Sequence, residues 1–503
     1  MKDNKIPLFI FAFGCLLFVI FYTFIAPQHA GTDFFIFKDT GANLSFGKGF
    51  MSITTPDNPT FHPKLYATYT PLYAFIYGLY TIVFGYGAYE NTYFNLLLKI
   101  LWSGTLLWFT LKFFSTKLST QYKLIFAFCC VLLIPVSGTN DRPEDLILFF
   151  IFLSFLSFYS EKKYKILLTF LFIGANFTTS PFGGFVNLLL VIVILLYQYQ
   201  LTITRFLKKR HLIEAVLGIG AIPAIWILTY IDQDPDAFSR LFVVGTQKAG
   251  LSVFLGFIST GDISYYISSF MRITGSGRFF GITFAIGFII SHIVPIIFFA
   301  IRFLLTRQKL ALLFSGIFGA IFIGTIILFP FQYNYMWLLT LPAITLFLII
   351  LAEEKTLTRF LYLPISLLVL ITVINQPRII RDIYARSIFL ESYKQAMQES
   401  AKLRENISDK WVSINPLQYF TIKPYAKVGS STYCNSPEKY DFVAVGYRDL
   451  KTGEMAYPTW FIEKNYDLVY KPDISKYVPK TRLDEIMLRP SDIWQFALYK
   501  KRQ

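Results

Sequence analysis

Long apolar runs separated by short polar connections dominate this 503-residue sequence. A helix needs about 17–25 apolar residues to cross a bilayer. Runs that approach this length lie near residues 6–25, 91–114, 122–137, 146–160, 165–179, 182–201, 212–231, 279–302, 310–329, 334–352 and 360–375. A mean hydropathy of +0.51 and a charged share of 16%, against about 25% in soluble domains, support a polytopic membrane protein. The sequence therefore predicts an all-α membrane bundle of about 11 transmembrane helices.

Basic residues indicate how this bundle is oriented. Positive clusters occur at alternate connections, at Lys112/Lys117/Lys123, Lys162/Lys163/Lys165, Arg205/Lys208/Lys209/Arg210, Arg302/Arg307/Lys309 and Lys355/Arg359. They fall on the same side as Lys2 and Lys5, which predicts a cytoplasmic N-terminus in a plasma or inner membrane. The net charge of +16 thus follows topology and does not indicate nucleic-acid binding. The first run exceeds the about 7–15 apolar residues of a signal peptide, so a retained span is favoured over a cleaved leader.

One further apolar run, at 71–86, has to stay out of the count. If it crossed the membrane, every later basic cluster would change sides, and its 16 residues are short for a span. We interpret it as a helix that starts at Pro71 and is either re-entrant or in the plane of the membrane. The first outer loop then extends from about 26 to 90.

The same loop contains a second predicted helix, in "TDFFIFKDTGANLSFGKG". Thr32 is a suitable N-cap, and Asp33 lies where the helix macrodipole favours a carboxylate. Phe34, Phe37, Gly41 and Leu44 share one face at helical spacing. Gly47 and Gly49 are expected to end the helix.

The composition changes near residue 375. An amphipathic helix is predicted in "QPRIIRDIYARSIFLESYKQAMQESAKLREN", followed by short strands in "KWVSIN" and "YDFVAVGYRD". These patterns predict a transmembrane catalytic domain over 1–375 and a small α/β domain over 376–503, which parity places outside the cell membrane. The four cysteines and four histidines form no metal-binding spacing, and no glycine-rich phosphate loop is present.

Charged residues concentrate in the predicted outer loops. The second of these, "SGTNDRPEDL", contains Asp141, Arg142, Glu144 and Asp145. Many such residues are merely interfacial anchors. Carboxylates beside apolar helices are costly, however, and tend to mark functional sites. Asp33 and the Asp141–Asp145 cluster are therefore the leading candidates.

These segments resemble a known family. "TDFFIFKDTGANLSFGKGF" followed by "YATYTPLYAFIYGLY" is similar to the opening of the GT-C glycosyltransferases that use polyprenyl-phosphate sugars. "NDRPEDLILFF" resembles their second acidic outer loop, and the polar C-terminal tail is also similar. Thr70 replaces a proline that is frequent in the family, and "FIFK" follows Asp33 where tyrosines are common. These departures leave the subfamily and the sugar open.

The resemblance implies roles for individual residues. Asp33 would be the catalytic base or key carboxylate, and Asp141 or Glu144 the second acidic group. Asp33 and Asp141 would be the ligands if a divalent cation, Mg²⁺ or Mn²⁺, takes part; otherwise no cofactor is expected. The donor phosphate would be bound by Arg142, Arg272, Arg278 and Lys38. The expected substrate-binding residues are Asp39, His62, Tyr69, Asp145, Tyr333 and Tyr335.

The implied activity is an inverting sugar transfer from a polyprenyl-phosphate donor to an extracytoplasmic glycan, lipid or protein, in cell-envelope glycan biosynthesis. A positioned carboxylate accelerates such a reaction by about 10²–10⁴-fold, and arginine can bind the leaving phosphate with two hydrogen bonds. The alternatives are a lipid-linked sugar flippase or transporter, an oligosaccharide polymerase or ligase that uses a diphosphate donor, and a non-enzymatic scaffold. Paired half-repeats typical of transporters are not evident in the sequence.

Overall fold

The computed structural model describes residues 4–30, 34–52, 64–65, 71–136, 141–198, 209–231, 256–264, 267–268, 279–328, 333–430 and 439–502. The chain forms two compact units. The first unit contains Met1–Cys15, Leu98–Thr139 and Pro143–Arg378. The second unit contains Leu16–Leu97, Asn140–Arg142 and Ile379–Gln503. The domain division predicted at 375/376 stays a prediction.

Each apolar run predicted from the sequence coincides with a helix. The helices are α1 (Lys5–Tyr22), α2 (Phe34–Phe37), α3 (Asp39–Ser45), α4 (Leu72–Phe84), α5 (Ala88–Phe114), α6 (Thr120–Val136), α7 (Glu144–Phe158), α8 (Lys165–Thr179), α9 (Pro181–Gln198), α10 (Lys209–Ile231), α11 (Phe279–Thr306), α12 (Lys309–Leu328), α13 (Tyr333–Glu353), α14 (Tyr362–Ile388), α15 (Leu390–Lys402), α16 (Arg404–Ile407), α17 (Tyr419–Ile422) and α18 (Arg482–Met487). The boundaries agree with the sequence to within a few residues, except that α14 continues 13 residues beyond the predicted end.

Several helices are suited to a bilayer. Among the described residues, six segments are long and apolar enough to cross a membrane, by length and composition: Lys5–Tyr22, Ala88–Phe114, Pro181–Gln198, Arg210–Leu228, Ile286–Thr306 and Thr358–Ile388. Shorter apolar helices include Thr120–Pro135, Lys165–Thr179, Lys309–Gly324 and Leu338–Glu353. Within the first unit, α8 and α10 approach closely at Gly174 and Gly218, where a Cβ on either residue would meet the backbone of the other helix. Small residues at such crossings are typical of membrane helix packing.

The helix predicted after Thr32 is present but interrupted. The chain forms α2 and α3, and Lys38 between them adopts φ −125°, ψ −26°. Backbone hydrogen bonds from Lys38 N to Phe34 O (2.8 Å) and from Ala42 N to Lys38 O (2.9 Å) still join the two pieces. Gly47 (φ 68°) and Gly49 (φ 75°) follow α3 in the left-handed region, as expected of glycines that end a helix.

The helix α4 packs against α3 with one face and exposes an apolar face on its other side. Gly41 lies so close to the carbonyl oxygen of Ala74 that a Cβ would overlap it, and Leu44 contacts Gly78. The opposite face of α4 exposes large apolar side chains: Phe75, Leu79, Ile82, Val83 and Phe84. Thirteen residues are too few to cross a bilayer, and the exposed face is suited to lipid. The predicted helix at 71–86 is therefore confirmed, and its orientation in the membrane remains a prediction.

The C-terminal part of the second unit contains a mixed five-stranded sheet. The strands are β1 (Met51–Ser52), β2 (Lys64–Leu65), β3 (Trp411–Ile414), β4 (Lys427–Ser430), β5 (Phe442–Val445), β6 (Tyr466–Tyr470) and β7 (Ala497–Lys501). The first two form a separate antiparallel pair, and the sheet has the order β4-β3-β5-β7-β6. β3 is parallel to β4 and to β5, whereas β7 is antiparallel to β5 and to β6. Both strands predicted from the sequence, β3 and β5, are confirmed.

One face of this sheet packs on the end of α14. Phe389, Val443, Val445, Tyr466 and Tyr499 belong to one buried cluster with Ala385. The amphipathic segment after residue 375 thus continues α14 as a helix and supplies an apolar face to the sheet. The chain continues through α15 to α17, whose Tyr419 belongs to the candidate site.

Candidate functional site

A fully buried ion pair joins the two acidic loops of the sequence. Lys38 Nζ lies 3.0 Å from Asp141 Oδ1, and both side chains have no solvent exposure. Asp141 adopts a left-handed backbone conformation with φ 64°, which is uncommon for residues other than glycine. The pair brings together residues that are 103 positions apart in sequence. The structure therefore places Lys38 and Asp141 in one network of the second unit.

Two amides of α5 complete this network. Lys38 Nζ donates to Asn91 Oδ1 (2.7 Å) and to Asn95 Oδ1 (2.6 Å). The Nδ2 groups of both asparagines donate to Asp141 Oδ1, at 2.9 Å and 3.4 Å. Asn91 and Asn95 can act together because residues at i and i+4 lie on the same face of a helix. We name these four side chains, Lys38, Asn91, Asn95 and Asp141, the lysine network.

Aromatic rings surround the ammonium group of the lysine network. The Lys38 Nζ lies 4.7 Å from the ring centroid of Tyr77 and 4.9 Å from that of Phe94. Contacts of this kind stabilise a desolvated cation. The neighbouring Arg142 is also placed over a ring, 5.4 Å from the centroid of Phe37. These contacts hold the start of the second acidic loop against α2.

Asp39 belongs to a different buried network. Its carboxylate accepts hydrogen bonds from the Tyr419 hydroxyl, from Lys423 Nζ (3.3 Å) and from Asn43 Nδ2 (3.3 Å). Lys423 also donates to Asn43 Oδ1 at 3.1 Å. Burial and then the nearby Asp39 charge raise the pKa of Tyr419 well above its usual value. Asp39, predicted as a substrate-binding residue, thus connects α3 to α17 by contacts within the protein.

Residues 22–29, at the end of α1 and after it, are held by contacts with the C-terminal segment of the second unit. Arg386 Nε donates to Ala26 O at 2.6 Å, and its guanidinium carbon lies 4.6 Å from the ring centroid of Tyr22. Three residues later, His29 stacks on Trp494 with a centroid distance of 3.9 Å. The His29 ring nitrogens lie 3.0 Å from Asp492 O and 3.4 Å from Leu417 O. These contacts position the chain at Ala26 and His29.

Two other predicted residues lie in the first unit. Glu144 and Asp145 are buried in the first turn of α7, where the helix macrodipole favours carboxylates. Asp145 Oδ1 accepts a hydrogen bond of 3.0 Å from the indole nitrogen of Trp102. The indole contact stabilises the buried Asp145 carboxylate, and both carboxylates lie at the helix N-terminus.

Several predicted site residues lie outside the described part of the chain. This applies to Asp33, His62, Tyr69, Arg272 and Arg278. Tyr333 and Tyr335 begin α13, but their side chains also lie outside what the structure describes. Their expected roles remain predictions. The residues that the structure does bring together are Lys38, Asp141 and Arg142, with Asp39 beside them.

The partners of these residues are not among those predicted from the sequence. Asn91, Asn95, Tyr419 and Lys423 supply most of the polar contacts to Lys38 and Asp39. A signal for two of them was available, because "NTYFN" places two amides one helical turn apart in an apolar helix. Tyr419 and Lys423 had no such signal, since they lie about 380 residues from Asp39.

With the Lys38 ammonium in place, the lysine network does not fit a divalent metal ion. Mg²⁺ and Mn²⁺ prefer several oxygen ligands, chiefly carboxylates and water. Asp141 Oδ1 instead faces one ammonium and two amide NH₂ groups. A doubly charged ion about 4 Å from the ammonium would be repelled by about 8 kcal/mol at an effective dielectric constant of 20. Among the described residues, no group of three His, Cys, Asp or Glu side chains could hold a metal.

Comparison with proteins of known structure identifies the fold of this chain. The sequence matches no protein-family model and no curated protein. Its structure is similar to the crystal structure of ArnT from Cupriavidus metallidurans bound to undecaprenyl phosphate, with a TM-score of 0.52 and 11% sequence identity over 97% of both chains. This chain has the ArnT fold.

The ArnT fold confirms the coarse form of the sequence prediction. A mostly helical integral membrane protein with several spans and a small sheet is what both the described helices and the ArnT likeness show. The likeness extends over the C-terminal sheet as well as the helices, because it covers 97% of this chain. The predicted number of spans and the orientation of the termini remain predictions.

Proposed function

We propose that this protein transfers a sugar from a polyprenyl-phosphate donor to an acceptor at the outer face of the membrane. The observation that carries the proposal is the likeness over 97% of both chains to ArnT, which was crystallised with undecaprenyl phosphate. The similarity of the two acidic loops to those of GT-C glycosyltransferases supports it independently. A polyprenyl-linked donor is also chemically reasonable in this location, since nucleotide sugars are cytoplasmic.

In the proposed reaction, Asp33 removes the proton from the acceptor hydroxyl as the hydroxyl oxygen attacks the anomeric carbon. The bond between this carbon and the phosphate oxygen breaks, and polyprenyl phosphate leaves with the electron pair. A direct displacement without a covalent enzyme intermediate inverts the anomeric configuration. Arg142, Arg272 and Arg278 are the proposed partners of the phosphate, because guanidinium groups bind phosphate oxygens with two parallel hydrogen bonds.

The lysine network supports the proposal by its position in the chain. It begins five residues after Asp33 and ends at Asp141, one residue before Arg142. It thereby connects the segment that carries the proposed base to a proposed phosphate ligand. Asp141 is then the second acidic residue of the site, with Glu144 as the alternative that the sequence left open. Since the geometry directs the Lys38 ammonium to three protein oxygens, we do not retain it as a phosphate ligand.

The proposal is tested with purified protein in lipid vesicles. Undecaprenyl-phosphate hexoses and pentoses are supplied with a membrane extract as the source of acceptor, and release of undecaprenyl phosphate is measured by mass spectrometry. We expect release from at least one donor and a loss of at least about 100-fold in Asp33→Asn, within the range for a general base. Asp57→Asn, in the same predicted loop, is the matched control.

Three results would count against the proposal. Equal turnover in Asp33→Asn and wild type would remove Asp33 from the chemistry. Movement of intact donors across the bilayer without cleavage would favour a flippase, while cleavage of diphosphate-linked donors alone would favour a polymerase or ligase. Mass spectrometry of surface glycans from cells with and without the protein would identify the sugar and the acceptor.

A further inference from the structure

The Lys38 ammonium lies in a cage of oxygen atoms. Asn95 Oδ1, Asn91 Oδ1 and Asp141 Oδ1 lie 2.6, 2.7 and 3.0 Å from Nζ. An ammonium group has three N–H donors, and these three acceptors match them. Two amide oxygens and one carboxylate are also the hard ligands that Mg²⁺, Mn²⁺ and Ca²⁺ take in proteins. The cage is therefore a cation site in which the cation is covalently attached to the chain.

The cage is built from several segments that restrict its movement. Asn91 and Asn95 are one turn apart on α5, and their amide groups each accept from Lys38 and donate to Asp141. Asn95 Nδ2 also lies within 3.4 Å of Gln28 Oε1. The rings of Tyr77, Phe94 and Tyr73 face the ammonium within 5.7 Å. All four members of the lysine network are buried, so water does not screen the pair.

We propose that the Lys38 ammonium replaces a divalent metal ion in this protein and that sugar transfer proceeds without such a metal. Lys38 is then a positioning residue: it neutralises Asp141 and holds the left-handed loop that leads to Arg142. This inference rests on the proposed function, because it takes Asp141 and Arg142 as parts of the sugar-transfer site. It goes further by specifying which cation the second acidic residue uses.

The first experiment uses the wild-type protein. Transfer is measured after dialysis against EDTA and again after addition of Mg²⁺ or Mn²⁺. We expect the rates in EDTA, after addition of Mg²⁺ and after addition of Mn²⁺ to agree within twofold. A decrease of tenfold or more in EDTA, reversed by either metal, would overturn the proposal.

The second experiment uses the variants Lys38→Ala and Lys423→Ala, which each remove one buried ammonium of the second unit. We expect Lys38→Ala to lose at least 100-fold in kcat with less than a threefold change in the donor KM. Addition of ethylammonium or Mn²⁺ should raise the kcat of Lys38→Ala at least tenfold, whereas ethanol should not. The same additions should not raise the rate of Lys423→Ala. A folded Lys38→Ala protein that neither cation improves would contradict a replaceable cation.

A binding measurement separates this inference from the proposed function. Electron paramagnetic resonance is used to count Mn²⁺ bound to the wild type and to Asp141→Asn, with no sugar donor present. At Mn²⁺ concentrations below 1 mM, we expect the wild type and Asp141→Asn to bind the same number of Mn²⁺ ions. A bound ion lost in Asp141→Asn would overturn the inference even if no donor were turned over. Failure of every donor, with this result as expected, would count against the proposed activity alone. Neither the EDTA experiment nor this Mn²⁺ measurement uses Lys38→Ala, so both remain decisive if that variant does not fold.

Discussion

The buried pair of Asp39 and Lys423 offers a quantitative test of how the second unit is held together. Lys423→Met removes the ammonium while keeping a side chain of similar length. At 3.3 Å and an effective dielectric constant of 20, the Coulomb attraction is about 5 kcal/mol. Desolvation of two buried ions offsets much of this gain. Loss of one partner alone leaves the other charge buried, which costs about 3–5 kcal/mol.

The double variant Asp39→Asn/Lys423→Met should therefore cost much less than the two single variants together. We expect a coupling free energy of at least about 2 kcal/mol, well above the about 0.3–0.5 kcal/mol within which independent sites add. The Tyr419 hydroxyl and Asn43 amide can still bond to an asparagine at position 39, which limits the loss in the double variant.

Hydrogen–deuterium exchange of the peptide around α17 measures the opening free energy of this local structure. The matched control is Lys402→Met, because Lys402 makes a shorter ion pair with Glu399 (2.8 Å) but its side chain is 70% exposed. Exposed pairs contribute about 0–1 kcal/mol. Two results would show that the buried pair does not stabilise this contact. The first is a change in the opening free energy of α17 in Lys423→Met that is no larger than the change Lys402→Met causes in its own helix. The second is additivity of the two single variants in the double variant Asp39→Asn/Lys423→Met.

Two further predictions concern packing and pH. Gly41→Ala should lower the free energy of unfolding by about 1–3 kcal/mol, measured as a lower thermal midpoint, because the added Cβ meets the Ala74 carbonyl. The control Gly220→Ala adds a Cβ that meets nothing within 4 Å and should be neutral or stabilising. Equal effects of the two variants would contradict the described contact at Gly41. Burial lowers the pKa of His29 to about 4, below the about 6.5 of the unfolded chain. The unfolded state thus binds a proton between these values that the folded state does not, so the free energy of unfolding should fall as the pH drops from about 6.5 to 4. His29→Phe retains a ring against Trp494 and should flatten this part of a thermal-midpoint profile; an unchanged slope would show that His29 does not titrate there.

The membrane helices were predictable because the bilayer imposes a length and a composition that single segments show by themselves. The runs near 91–114 and 165–179 correspond closely to α5 and α8. The strand β3 was visible for a similar local reason, since alternation and β-branched residues mark "KWVSIN". Local patterns also gave the end of α3, where two glycines adopt positive φ.

The role of Lys38 could not be predicted from its own surroundings. A lysine in an outer loop is usually solvated or interfacial, and a lysine is rarely buried without a partner. The partners that make burial possible lie 53, 57 and 103 residues away. Helical spacing likewise predicts one continuous helix where the structure has α2 and α3. The burial of Lys38 depends on contacts that only the folded chain brings together.

Lys38 and Asp39 are consecutive, yet their side chains enter separate networks, one with α5 and Asp141 and the other with α17. Inserting or deleting a single residue between Phe34 and Ser45 would turn the remainder of the segment by about 100°, since a helix makes 3.6 residues per turn. Both charges would then face the wrong neighbours at once. A change in the number of residues would therefore disrupt both networks together, so the spacing of this segment should stay fixed as the protein diverges.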